Sequence, residues 1–167
     1  MKTKLILHCI IVFCLLFTCN LTAQTVSYTY KALAAKGCTM KYNVAKQDSS
    51  YYIIATVSSD RMRFLNNPTM KIRTFNDDVL TLTGVALGDG SKSTGIVSGN
   101  IVIPITSIIS TAQFKITPEQ FEKIGSGISK IRLSMTPMNH ERTFKKDKIG
   151  RKLYKFYLKV KESDDNF

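Results

Sequence analysis

The sequence predicts a β-rich α+β domain: an antiparallel sheet or sandwich with a short capped helix near 118–124 and a second helix at the C-terminal end. Two observations carry that expectation. Apolar and polar residues alternate over many short runs bounded by Gly, Pro, Asn and Asp, which is the period of a strand with one wet face. In addition, Ile101 to Met135 reads strand, helix, strand, and its helix has both a start and a stop signal.

The first residues stand apart from the fold. Lys2 and Lys4 precede an apolar run from Leu5 to Phe17, the anatomy of an export signal and too short for a comfortable membrane span. Cleavage after Ala23 would leave residues 24–167 as a single domain starting at Gln24. The alternative is lipidation at Cys19, but Thr18 stands where such sites place a small residue, so simple secretion is favoured. The expected location is periplasmic or extracellular, with contact to a membrane surface only if Cys19 is lipidated. Lys2 and Lys4 leave with the signal, so the mature chain keeps a net charge near +10 out of the full chain's +12. Cys38 is the one cysteine certain to remain, so burial rather than a disulfide must hold the fold.

Along the mature chain, Thr25 to Ala32 alternates as a first strand or an extended arm, and Ala32 to Lys36 suggests a helical turn stopped by Gly37. Thr39–Ala45 and Tyr51–Val57 read as a hairpin across Lys46–Ser50. The second of these strands is apolar on both parities, and therefore central. Asn66-Asn67-Pro68 is a turn by composition. Met70, Ile72 and Thr74 alternate with Lys71, Arg73 and Phe75; Asn76-Asp77-Asp78 then reverses the chain into Val79–Val85. Gly88 to Gly99 reads as a flexible loop. Beyond it, Pro104 marks an edge or a bulge in the strand from Ile101, because proline cannot donate to a ladder.

The helix is legible residue by residue. Thr117 is the N-cap, Pro118 falls at N1, and Gln120 completes a capping box. Ile116 and Phe121 have the spacing of a hydrophobic staple, and Gly125 and Gly127 end the helix. Ile131, Leu133 and Met135 then alternate with Lys130, Arg132 and Ser134 as a strand. In the tail, Ile149, Leu153, Phe156 and Val160 recur at helical intervals, although Tyr154, Phe156, Leu158 and Val160 also alternate as a strand would. Asp147 as N-cap and the straight-chain lysines favour the helix.

Few chemistries find support. A nucleophilic pair would need Cys38 and His140 to meet, and the plainer reading is a small buried thiol and a loop imidazole. One cysteine and one histidine cannot build an ordinary zinc site, so neither metal nor cofactor is expected. Asp77 and Asp78 read as turn-formers. The stretch Gly88–Thr94 lacks the spacing of a phosphate loop. Two carboxylates acting on a glycan are the alternative for an enzyme, and a structural envelope subunit is a further one. The feature above background is charge: nine basic residues against Asp147 alone between Arg142 and Lys161. Lys145, Lys148, Arg151, Lys152 and Lys155 are the candidate binding residues for an anionic partner, with a merely solvated face as the bland reading. Tyr154, Phe156 and Tyr157 would suit base stacking, but export argues against nucleic acid.

The leader ending Leu-Thr-Ala-Gln, with FKITPEQFEKIGSGISKIRLSM followed by RTFKKDKIGRKLYK, resembles small exported envelope proteins of Bacteroidota-type bacteria, themselves uncharacterised. The resemblance spans roughly Phe114 to Lys155 and implies an envelope location without an activity. The expectation is an exported, non-enzymatic binding domain that its basic C-terminal surface steers to an anionic envelope component or protein.

Overall fold

The computed structural model describes residues 25–30, 38–60, 63–98 and 101–163. The export segment, Cys19 and the helical turn expected over 32–36 lie outside them. The described strands are β1 (Val26–Tyr30), β2 (Cys38–Gln47), β3 (Ser50–Ser59), β4 (Thr69–Thr74), β5 (Val79–Ser98), β6 (Ile101–Ile116), β7 (Ile128–Leu133) and β8 (His140–Thr143). The helices are α1 (Pro118–Gly125) and α2 (Gly150–Glu162). The strands form one curled sheet in the order β1-β2-β3-β6-β5-β4-β7-β8, antiparallel at every step. This is the β-rich α+β fold that the alternation predicts.

Asp and Asn make the tight turns. Asp48, Asn67 and Asp77 have φ of 52°, 45° and 64°. These residue types tolerate left-handed backbone because their short polar side chains can bond locally. The β2–β3 hairpin closes on Asp48 and Ser49 alone, tighter than the expected five-residue loop. As expected, β3 is interior to the sheet, between β2 and β6.

The curl originates in β5. Its first residues, Val79–Thr83, pair with β4, and from Gly84 onward it pairs with β6. At the changeover a Cβ on Gly84 would lie 2.6 Å from the Phe114 ring, so only glycine fits. The register shifts between Ala86 and Gly88, and Gly88 takes φ 146°. A bulge of this kind bends a strand and deepens its twist.

One face of the curled sheet becomes the core. Met40, Tyr42, Ile53, Ala55, Val57, Ala112 and Phe114 come from one half; Met70, Ile72, Leu80, Leu82, Ile131 and Leu133 come from the other. The helices close over them. Thr117 makes the full capping box: its Oγ1 accepts from Gln120 N at 3.3 Å, while Gln120 Oε1 accepts from Thr117 N at 3.0 Å. Phe121 and Ile124 of α1 are fully buried. The core row of α2 is Leu153 and Tyr157, led by Ile149 just before the helix, at intervals of four. Tyr157 stacks on Phe121 at 4.5 Å between centroids and meets Tyr51 of β3 edge-on at 5.0 Å. Each such ring pair adds about 0.5–1.5 kcal/mol beyond burial. Tyr157 is therefore a packing residue rather than a surface ring available to a ligand.

Two expectations need correction. The segment from Gly88 to Ser98, read as a flexible loop, is strand, paired residue for residue with β6 as far as Ser98 opposite Ile101. Its glycines and serines have little strand preference of their own. The neighbouring β6 supplies the ladder, and Ser93 and Thr106 join their hydroxyls across it at 2.9 Å. This arm runs past Ile108, where the pairing of β6 with β3 stops. Pro104 sits on that outer stretch opposite Gly95, as an edge position requires. The second correction concerns His140. It lies on strand β8 and is 1 % exposed, so it is not a loop imidazole.

Candidate functional site

The inward side chains of β4 and β7 fill the core, so the alternate residues must face outward. Register decides what those residues meet. Lys71 lies directly opposite Arg132, and Arg73 directly opposite Lys130. On the flanks, Thr81 of β5 lies opposite Lys71 and Val79 opposite Arg73. Glu141 of β8 lies opposite Arg132 and Thr143 opposite Lys130. Thr69, opposite Thr83, is joined to Ser134 by a backbone hydrogen bond from Ser134 N to Thr69 O at 2.9 Å. The outer face is thus a lattice of three rungs, two of them cationic and the third made of hydroxyls. Rungs repeat about 6.7 Å apart along the strands, and strands lie about 4.8 Å apart.

Two depressions share this face. One, of about 210 Å³, is lined by Lys71, Ile72, Arg73, Val79, Lys130, Arg132 and Glu141. The other, of about 260 Å³, is lined by Thr69, Lys71, Arg132 and Ser134. The Lys71–Arg132 rung borders both. The single acid on the lattice is Glu141, whose Oε1 pairs with Lys130 Nζ at 2.7 Å. That hydrogen bond with Lys130 holds the Glu141 carboxyl below its ordinary pKa, aided by the nearby charge of Arg132. Lys71, Arg73 and Arg132 form no ion pair among the described residues. Like charges placed directly opposite on neighbouring strands destabilise a sheet by roughly 0.2–1 kcal/mol per pair; two such pairs adjoin here, Arg73–Lys130 offset in part by Glu141 and Lys71–Arg132 without an ion pair among the described residues.

The residues singled out from the sequence are elsewhere. Lys145 and Lys148 are exposed in the connection between β8 and α2; Arg151, Lys152 and Lys155 are exposed on α2, whose other side packs on α1 and β2. Arg151 also lines a separate depression of about 370 Å³ with Phe75, Ser126, Lys146 and Asp147. Asp147 belongs to the scaffold. Its carboxylate accepts from the backbone N–H groups of Ile128 (3.0 Å), Ile149 (3.3 Å), Gly150 (2.8 Å) and Arg151 (2.9 Å). Partial burial alone would raise its pKa, but these four donors together hold it below the ordinary value. The N-cap position of α2 is therefore Ile149 and not Asp147 as expected, although the Asp147 carboxylate accepts from the first backbone N–H groups of the helix from two residues further out.

Cys38 and His140 are not brought together as a reactive pair. Cys38, on β2, donates its thiol to Ser59 Oγ at 3.1 Å; His140 lies on β8 at the far end of the strand order. Burial, with a further contribution from Arg142, drives the His140 pKa down to about 4. Among the described residues no three His, Cys, Asp or Glu side chains converge as a metal site. Asp78, at the β4–β5 turn, pairs with Lys123 at 3.5 Å, and Glu122 accepts from the Tyr154 hydroxyl at 2.6 Å. Sequence reasoning missed the outer lattice. Its only local trace is the pair of runs Lys71-Ile72-Arg73 and Lys130-Ile131-Arg132, each placing two cations on one strand face.

Comparison with protein-family models, with curated proteins and with solved structures finds no match for this chain.

Proposed function

We propose that the chain is an exported, non-enzymatic binding domain that engages an anionic component of the cell envelope through the outer face of β4, β7 and β8. The observation that supports it is the pair of like-charged rungs, Lys71–Arg132 and Arg73–Lys130, on the face of a formed sheet. Such rungs work against the fold that carries them, whereas an anion lying between them relieves the repulsion and gains charge-assisted hydrogen bonds. The exposed cations of α2 and its approach (Lys145, Lys148, Arg151, Lys152 and Lys155) form a second basic surface that would speed encounter with the same partner.

The test compares two variants of equal charge. One carries Gln at positions 71, 73, 130 and 132; the other carries Gln at 148, 151, 152 and 155. Each loses four positive charges, so non-specific attraction falls alike in both. Binding of the mature chain to the polyanionic fraction of an envelope extract is measured at low and high salt. The sheet variant should lose at least tenfold in affinity, about 1.4 kcal/mol, with a far smaller loss for the helix variant. Equal losses would leave the lattice with no special role.

A further inference from the structure

We infer that the ligand of the outer lattice is a linear acidic polysaccharide lying along the strands, its acidic groups on the two cationic rungs and its sugar hydroxyls on the third. The inference rests on the anionic-partner reading above and specifies the class of partner. Its basis is how side-chain types are distributed over the lattice.

The cations are divided between two adjoining depressions rather than gathered into one, and Lys71 and Arg132 border both. A compact anion would occupy one depression and leave the other cations unmatched. A chain laid along β4 and β7 covers both, with successive acidic groups about 6.7 Å apart over Arg73–Lys130 and then Lys71–Arg132. The next step along the same path is not charged. Thr69, Thr83 and Ser134 lie there, and hydroxyls of this kind both donate and accept. Sugar hydroxyls make the same double demand; bare phosphate oxygens only accept. The flank of β5 adds a further exposed hydroxyl at Thr81.

The same lattice argues against other partners. Val79 is the exposed apolar side chain on its three rungs, buried Ile72 lies beneath one depression, and the nearest exposed ring, Phe75, stands past the end of β4, so the rungs themselves offer little to a lipid interface and no ring for a base. Glu141, paired with Lys130 at one margin, would repel a wrongly placed acidic group and so fix where the chain lies across the strands.

The experiment measures binding of the mature chain to four probes by calorimetry at low salt. They are oligogalacturonates of increasing length, heparin oligosaccharides of increasing length, polyphosphate, and vesicles of equal parts phosphatidylglycerol and phosphatidylcholine. The first two probes separate carboxylate from sulfate as the acidic group. Affinity for at least one oligosaccharide series should climb with length and then level off once the three rungs are spanned. The double variant Thr69→Val/Ser134→Ala keeps every charge. It should weaken that oligosaccharide about tenfold, the scale of two lost hydrogen bonds, and leave polyphosphate unchanged. If its melting point falls, Thr83→Ala, at an exposed position on the same rung, replaces it. Binding of vesicles or polyphosphate without oligosaccharide, or a hydroxyl variant that binds the oligosaccharide normally, would overturn the polysaccharide while leaving the anionic-partner reading intact. If no probe binds, both fail together.

Discussion

At the scale of single residues, two positions have consequences that can be signed in advance. His140 is 1 % exposed and its pKa lies at about 4, against 6.5 in an unhindered imidazole. The fold therefore keeps His140 neutral, while the unfolded chain takes up a proton as pH falls through 6.5. Stability from this site is complete above pH 6.5 and declines between there and pH 4, by on the order of 2–3 kcal/mol in all. Urea melts across that range should show the slope in the native chain and not in His140→Leu; parallel curves would contradict it. Asp147 titrates in a separate window. Its depressed pKa confines its loss to pH values below the ordinary carboxylate range. Gly150 is the second position. An alanine at an exposed helical site usually gains up to about 1 kcal/mol over glycine. Here the added Cβ would lie 2.5 Å from Ile128 N, a backbone atom that cannot swing aside. Gly150→Ala should therefore destabilise, by roughly 1–3 kcal/mol, as read from a chemical denaturation midpoint. A neutral or stabilising result would mean that the junction of α2 with β7 is looser than this close approach implies.

At the scale of elements, α1 and the outer lattice differ in how far the sequence discloses them. The helix was readable because its signals are local: Thr117, Pro118 and Gln120 act on backbone groups within one turn. The lattice depends on register between strands about sixty residues apart, Lys71 against Arg132, and no local window of the chain contains both. Nor could the arm of β5 be read, because Gly88–Ser98 is strand through its partner and not its own composition. In the tail the order of cations and apolar residues gave the helix. It did not distinguish Tyr157, which turns inward onto Phe121, from Phe156 beside it. A prediction belongs at this scale. Lys71→Thr removes one of two opposed cations and puts a strand-favouring residue in its place. It should raise the melting point at low salt, by the equivalent of roughly 0.2–1 kcal/mol, and the gain should shrink as salt screens the repulsion. The same variant should bind polyanions more weakly. A fall in stability would show that the Lys71 side chain supports the sheet, and would remove the main ground for assigning the face to a ligand.

At the scale of the whole molecule, one curled sheet and two helices enclose a continuous core, and the arm adds little to it. From Val85 to Ile109 no residue whose exposure is described is buried. Deleting 92–107 and joining Ser91 to Ile108 through Asn-Gly keeps every pairing between β3 and β6. The shortened chain should fold with a melting point within a few degrees of the parent, a shift of about 1 kcal/mol at most; a collapse of the thermal transition would show that the arm is part of the fold. The arm's root has a mechanical consequence. Its two strands continue into the body, β5 along β4 and β6 along β3. Tension applied at the tip along the strands would therefore load both sets of ladder hydrogen bonds in shear, many at once, instead of opening them one by one. The hairpin is anchored like a tang in a handle, so a load gripping its tip would be shared by both halves of the sheet.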